Sequence, residues 1–167
     1  GSDPNAIRDA LTAAIDAFNE EGYGVPTRED EIDPDADWKT QLTKACRLVA
    51  TVDHIAGQGF YTATIELCFG ATERSVEAFA LAEGGDTIDD FHDHTSCYDR
   101  AHDLGLLSSA TTDSLRQLYE TNRTDSYYGE QRPTERQADT MRHLSRSVHT
   151  YVTDQIREGS VCICDSE

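Results

Sequence analysis

Apolar residues recur at spacings of three and four along almost the whole chain, the period of a helix with one buried face. Ile7, Leu11, Ala14, Ile15 and Phe18 form one stripe over residues 4–20. Asp3-Pro4 supplies a cap and a first-turn proline for that helix. Residues 22–35, GYGVPTREDEIDPD, read as a polar loop. A second helix is expected over 36–57, with Trp38, Leu42, Ala45, Cys46 and Val49 inward. Gly57 and Gly59 end it. Residues 60–82, FYTATIELCFGATERSVEAFALA, are apolar on nearly every face in their first half. Such a helix belongs in the middle of a bundle. Gly70 inside it costs about 1 kcal/mol of helix propensity and implies close approach of a neighbour.

After the turn EGGD, Thr87 and Asp90 form a capping pair for a fourth helix over 88–104, carrying Ile88, Phe91, Tyr98 and Leu104. LSSATTD interrupts the chain. A fifth helix is expected to start near Thr112 or Asp113, carry Leu115, Leu118, Tyr119, Asn122 and Arg123, and end near Gly129. Thr134 with Gln137 opens a last helix, along which Ala138, Met141, Leu144, Val148, Val152 and Ile156 recur. The tail EGSVCICDSE is polar or short-range β-like. The expectation is an all-α, up-and-down bundle of five to six helices in a single domain over 6–158. Residues 159–167 then form a short tail, and residues 1–5 read as an expression remnant. No apolar run reaches the ~20 residues that cross a bilayer, and no signal-peptide pattern is present.

Charge changes this picture in one respect. The chain has 32 acidic and 14 basic residues among 167, a net charge of −18, and its only lysines are Lys39 and Lys44. The acids are spread along the chain while the apolar period persists, so the composition is not that of a disordered chain. It suits a halophilic, archaeal cytoplasm. In molar salt the Debye length is roughly 3 Å, so the acidity does not exclude a nucleic-acid partner. Cys46, Cys68, Cys97, Cys162 and Cys164 make an odd set. The first two lie in helical apolar patterns and are expected as buried free thiols in a reducing compartment.

Within this acidic chain, residues 116–146 come close to neutrality. Arg116, Arg123, Arg132, Arg136, Arg142 and Arg146 stand there against five acids. Arginine is the side chain best shaped to fork onto phosphate. Most of these arginines are expected to form ion pairs within a helix, as where Arg132 and Arg136 flank Glu135. Arg123 differs, because Tyr119, Arg123 and Tyr127 share one helical face and Tyr128 lies five residues on. Asn122 and Asp125 add polar groups. Residue chemistry leaves two readings open: a site for phosphate, nucleotide or RNA, and a buried Arg–Tyr–Asp network joining helices.

A second cluster is HDHTSC, with His92, His94 and Cys97, and His102 beyond. On a continuous helix His92 and His94 point to opposite sides, so no metal site is expected and His94 reads as a structural residue bonded between helices. Cys162 and Cys164 alternate with no second pair nearby, which is a weak signal for metal or an intermolecular disulfide.

The order GFYTATIELCFGATERSVEAF, FHDHTSCYDRA, then Leu118-Tyr119 … Arg123-Thr124-Asp125-Ser126-Tyr127-Tyr128-Gly129 and the last helix resembles the HEPN (higher eukaryote and prokaryote nucleotide-binding) superfamily over residues 36–157. The resemblance implies a helical bundle that dimerises. It implies RNA or nucleotide binding, and in many members metal-independent ribonuclease activity through an Arg-x4–6-His motif with no cofactor. Arg123 matches the arginine that contacts the scissile phosphate. Tyr128 stands where the histidine is expected, and Asn122, Asp125, Tyr127 and Tyr119 surround the site, with Arg142 and His143 reaching in from the last helix. A phenol near pKa 10 is a poor base at pH 7, whereas a histidine near 6.5 is a good one. Binding is therefore expected and catalysis left open. The alternative is a non-enzymatic partner of a nucleotidyltransferase in a toxin–antitoxin-like pair, with Tyr127 or Tyr128 modified.

Overall fold

The computed structural model describes residues 3–19, 26–123 and 132–156. These residues are all-α: six helices and no strand among them. They fall into two compact units, Gly1–Asp30 and Glu31–Glu167. The first contains α1 (Pro4–Asn19). Its apolar stripe is where the sequence puts it, yet no residue of α1 is buried, and Phe18 is 84% exposed.

The second unit holds α2 (Asp37–Ile55), α3 (Tyr61–Glu83), α4 (Ser96–Asp103), α5 (Ser109–Gln117) and α6 (Glu135–Gln155). A π-helical turn, Leu118–Arg123, continues α5. α3 packs against α2, α6 and α4, so its apolar circumference does place it centrally. Trp38, Leu42, Val76, Phe79, Tyr98, Val152 and Ile156 meet in one core cluster. Val52, Ile65, Cys68, Phe69, Ala138 and Met141 form a second. Cys46, Cys68 and Cys97 are buried free thiols. No helix among the described residues is long and apolar enough to cross a membrane.

The capping logic holds at α6. Thr134 Oγ1 accepts from Gln137 N (3.1 Å), and Thr134 N donates to Gln137 Oε1 (2.9 Å). α5 starts earlier than expected, because Ser108 Oγ accepts from Thr111 N at 3.2 Å and caps a helix that begins within LSSATTD.

The expected single helix over 88–104 is not formed. Thr87 and Asp90 do cap one another, but they head only a 3₁₀ turn, Ile88–Asp90, and Ile88 is exposed. Asp93 Oδ1 then accepts from the backbone N–H of Thr95 (2.9 Å) and Ser96 (2.6 Å), which starts α4 afresh. Residues 91–95 are left as a loop. Gly84 fixes where this segment leaves α3. A Cβ there would lie 2.4 Å from Asp86 Oδ2 and 2.8 Å from the Ala80 carbonyl. Arg100 clamps the turn from α4, donating from Nε to Asp86 Oδ2 (2.8 Å) and from Nη2 to the Gly84 carbonyl (3.3 Å).

Candidate active site

Glu66, Glu73 and Glu77 stand seven and four residues apart on α3, so all three face the same way. Gly70 lies between them and leaves space where a side chain would fill it. Its would-be Cβ is 3.4 Å from Leu48 Cδ1 of α2, an ordinary packing contact. The glutamates line a cavity of about 360 Å³. Gln41 of α2 borders it on one side, Phe91, His92, Asp93 and His94 of the loop on another, and Arg123 at the end of the π-helical turn. Phe69 and Arg74 of α3 complete the lining.

Arg123 is held at the rim of this cavity. Its Nη1 donates to Tyr119 Oη at 2.9 Å, and its guanidinium lies 5.0 Å from the Tyr119 ring centre. Nη2 reaches Glu66 Oε2 at 3.4 Å. Both members of that pair are partly exposed, so solvent screens it and an anion can compete for the guanidinium. The Tyr119 hydroxyl is pushed up from the usual phenol range by burial and then by the Glu73 charge. It remains a neutral hydrogen-bonding partner at physiological pH.

His94 shares the cavity. Its Nδ1 is 3.0 Å from Glu73 Oε2, and its ring stacks on Tyr119 with centres 5.2 Å apart. It hydrogen-bonds to α3 alone and meets the π-helical turn by stacking, and its side chain is 60% exposed. His92 lines the same cavity because both residues sit in the 91–95 loop and not on a helix. The sequence argument that the two histidines diverge rested on a helix that the chain does not form. Asp93, between them, is committed to the α4 start. The N–H groups of Ser96 and Thr95 hold its carboxyl below the usual range.

Further along α3, Glu77 is 9% exposed. Its Oε2 accepts from Gln41 Nε2 at 2.8 Å, while Gln41 Oε1 accepts from Arg74 Nη1 at 2.9 Å. Burial, and then the neighbouring Glu73 charge, push the Glu77 carboxyl up to about 7. Burial also raises Glu73, against the opposing pull of His94. The site therefore combines a guanidinium, an imidazole on a carboxylate, and a carboxyl that exchanges its proton near neutrality. Perturbed groups of this kind gather where proton transfer is needed.

The other suggested ligands are placed elsewhere. Cys97 is fully buried, and its thiol is pushed well up by burial and by Glu77 and Glu73. His102 donates from Nδ1 to the Leu107 carbonyl at 3.0 Å. Among the described residues no three His, Cys, Asp or Glu side chains are grouped to hold a metal ion.

Of the residues picked from sequence, Arg123 lines the cavity and Tyr119 holds both Arg123 and His94. Asn122 and His143 are exposed and take no part in the lining. Arg142 pairs with Asp53 of α2 at 3.3 Å, sharing it with Arg146, and does not reach this cavity. Arg116 pairs with Asp99 at 3.1 Å. Most of these arginine pairs join different helices; the expected pairs along one helix are longer, 4.0 Å for Arg116–Asp113 and 3.9 Å for Arg142–Asp139. Asp125, Tyr127, Tyr128, Cys162 and Cys164 lie outside the described residues. Sequence reasoning missed Glu66, Glu73, Glu77 and Gln41. The available signal was three acids on one face of a helix that is otherwise mostly apolar.

A family model described as Domain of unknown function (DUF8154) matches residues 2–164. The chain belongs to that family. The DUF8154 match takes in every side chain of the cavity, from Gln41 to Arg123. No curated protein matches the chain, and no solved structure does.

Proposed function

We propose that the cavity binds a phosphate ester of RNA or a nucleotide, as the HEPN resemblance implies, and that it cleaves RNA without a metal. The observation that carries this reading is the shared cavity of Arg123 and the His94–Glu73 pair. The HEPN-like motif lacks its histidine in sequence, with Tyr128 in that register. An imidazole from another part of the chain supplies the missing base in space.

With Nδ1–H donated to Glu73, His94 keeps a lone pair on Nε2, beside the cavity that it lines. Nε2 takes the proton of a ribose 2′-hydroxyl as its oxygen attacks the adjacent phosphorus. Arg123 exchanges Glu66 for the non-bridging phosphate oxygens, where negative charge builds up. The bond from phosphorus to the 5′-oxygen breaks, and that oxygen takes a proton from solvent. The products are a 2′,3′-cyclic phosphate and a 5′-hydroxyl end.

The test is cleavage of a labelled RNA in EDTA, at low salt and in molar KCl, since the net charge of −18 repels RNA unless screened. Cyclic phosphate ends are expected. His94→Ala and Arg123→Ala should each lower the rate about 10²- to 10⁴-fold. Intact RNA under both conditions removes the catalytic part of the reading. Failure to bind any ribonucleotide in calorimetric titration overturns the reading altogether.

A further inference from the structure

The cavity has two ends. Arg123 meets Glu66 at one, and eleven residues along α3, three turns away, Glu77 meets Gln41 at the other. If phosphate binds at the Arg123 end, the Glu77 end faces a different part of the ligand. Its chemistry is unlike that of a phosphate site. Gln41 Nε2 takes one lone pair of Glu77 Oε2, which leaves Oε1 and the second lone pair of Oε2 for a ligand. The Gln41 amide cannot turn over, because Arg74 holds its oxygen at 2.9 Å. Phe91 and His92 line the same space and supply flat surfaces. A carboxyl held in one orientation beside flat side chains matches the edge and face of a heterocyclic base.

We propose that the Glu77 end of the cavity is a nucleobase subsite, in which the Glu77 carboxyl pairs with the Watson–Crick edge of the base and, when ionised, selects guanine. This rests on the phosphate-ester reading of the Arg123 end.

The protonation state of Glu77 then decides which base fits. A neutral carboxyl offers one donor and one acceptor, which match adenine (N1 and N6–H), cytosine (N3 and N4–H), uracil (O4 and N3–H) and guanine (O6 and N1–H) alike. An ionised carboxyl offers two acceptors, which match the N1–H and N2–H donors of guanine. The groups that bear on Glu77 are Glu73 and Arg74 of α3, Gln41 of α2, His94 of the loop, and Cys97 and Tyr98 of α4. Burial, with Glu73 beside it, places the carboxyl's titration near neutrality, at about 7. Binding should pass from indifference among the four bases to a preference for guanine as pH rises through that value.

The experiment is calorimetric titration of the full chain with AMP, CMP, GMP and UMP at pH 6 and pH 8.5. The four nucleotides should bind with similar affinity at pH 6. GMP should gain roughly tenfold relative to AMP between pH 6 and pH 8.5. Glu77→Gln keeps one donor and one acceptor at every pH. It should bind AMP like the wild type at pH 6 and lose the shift toward GMP. A GMP-to-AMP affinity ratio that does not rise between pH 6 and pH 8.5 overturns the proposal, as does a rise that survives in Glu77→Gln. Arg123→Ala separates the two readings. Loss of all four nucleotides in that variant supports the phosphate site, whatever the base preference. Unchanged affinity for all four sinks the phosphate site, and this subsite with it.

Discussion

His149 and His94 are both held in place by protein groups, and they do different work. His149 of α6 is 2% exposed and sits between α2 and α3. Its Nδ1 is 2.9 Å from Ser75 Oγ and its Nε2 is 3.1 Å from Cys46 Sγ. Ser75 donates its own proton to the Ala71 carbonyl at 2.7 Å. Nδ1–H of His149 must therefore donate to Ser75, and in the neutral ring Nε2 accepts from the Cys46 thiol. Both nitrogens are used and no solvent reaches them. His94 is anchored at one nitrogen only, beside a cavity, with its side chain mostly in water. A histidine with both nitrogens committed locks helices together. A histidine with one nitrogen open can still exchange a proton with a ligand.

The sharpest way to break this contrast is at the buried member. His149→Ala takes one partner each from the Cys46 thiol and the Ser75 hydroxyl in the core and opens a void between three helices. Removing a buried ring with both of its hydrogen bonds should cost about 3 kcal/mol. Urea denaturation at matched salt measures it. A loss below about 1 kcal/mol would mean that the relay is not holding α2, α3 and α6 together.

Glu77→Gln tests the opposite sign, at the cavity. The folded carboxyl titrates at about 7 against an ordinary 4.5. Between those values the folded chain keeps a proton that the unfolded chain releases, so folding loses stability as pH rises through that window. Below pH 4.5 the contribution is fully favourable, and above 7 the loss is complete. Glutamine removes the ionisation and can still accept from Gln41. The variant should match the wild type at pH 4 and exceed it by about 2 kcal/mol at pH 8. Equal stability at both pH values would show that Glu77 is not strained. A gain at pH 8 would mark Glu77 as a carboxyl retained at the expense of stability, which fits a role in binding.

Much of the fold was legible because helical periodicity reports burial directly. Trp38, Leu42, Ala45, Cys46 and Val49 all face inward, and α3 lies at the centre. At α1 the period reveals which residues share a face and no more. The break at Asp93 was hidden for a different reason. A single side chain accepting two backbone N–H groups ends one segment and starts the next, and it leaves no periodic trace. That break brings His92 and His94 into one cavity. Of the site, Tyr119 and Arg123 were legible as neighbours on one face. Their counterparts on α3 were overlooked among apolar residues, although spacings of seven and four put Glu66, Glu73 and Glu77 in line. His149 could have been found in the same way, as a polar residue in the buried stripe of α6 with Ser145, between Met141 and Val152.

The smallest expected effect is the most telling one. His94→Ala removes a partly exposed pair with Glu73 and one stacking contact with Tyr119, both at the edge of the bundle. Exposed pairs contribute little, because water and salt screen them, so stability should change by less than about 0.5 kcal/mol. The Glu73 carboxyl loses a neighbour that draws it down, so its titration should move further up. That shift can be followed by carboxyl-resolved NMR titration of wild type and variant. If His94→Ala instead unfolds the chain as His149→Ala is expected to, then both histidines are structural. The imidazole beside Arg123 would then be a strut, and the cavity would need another base.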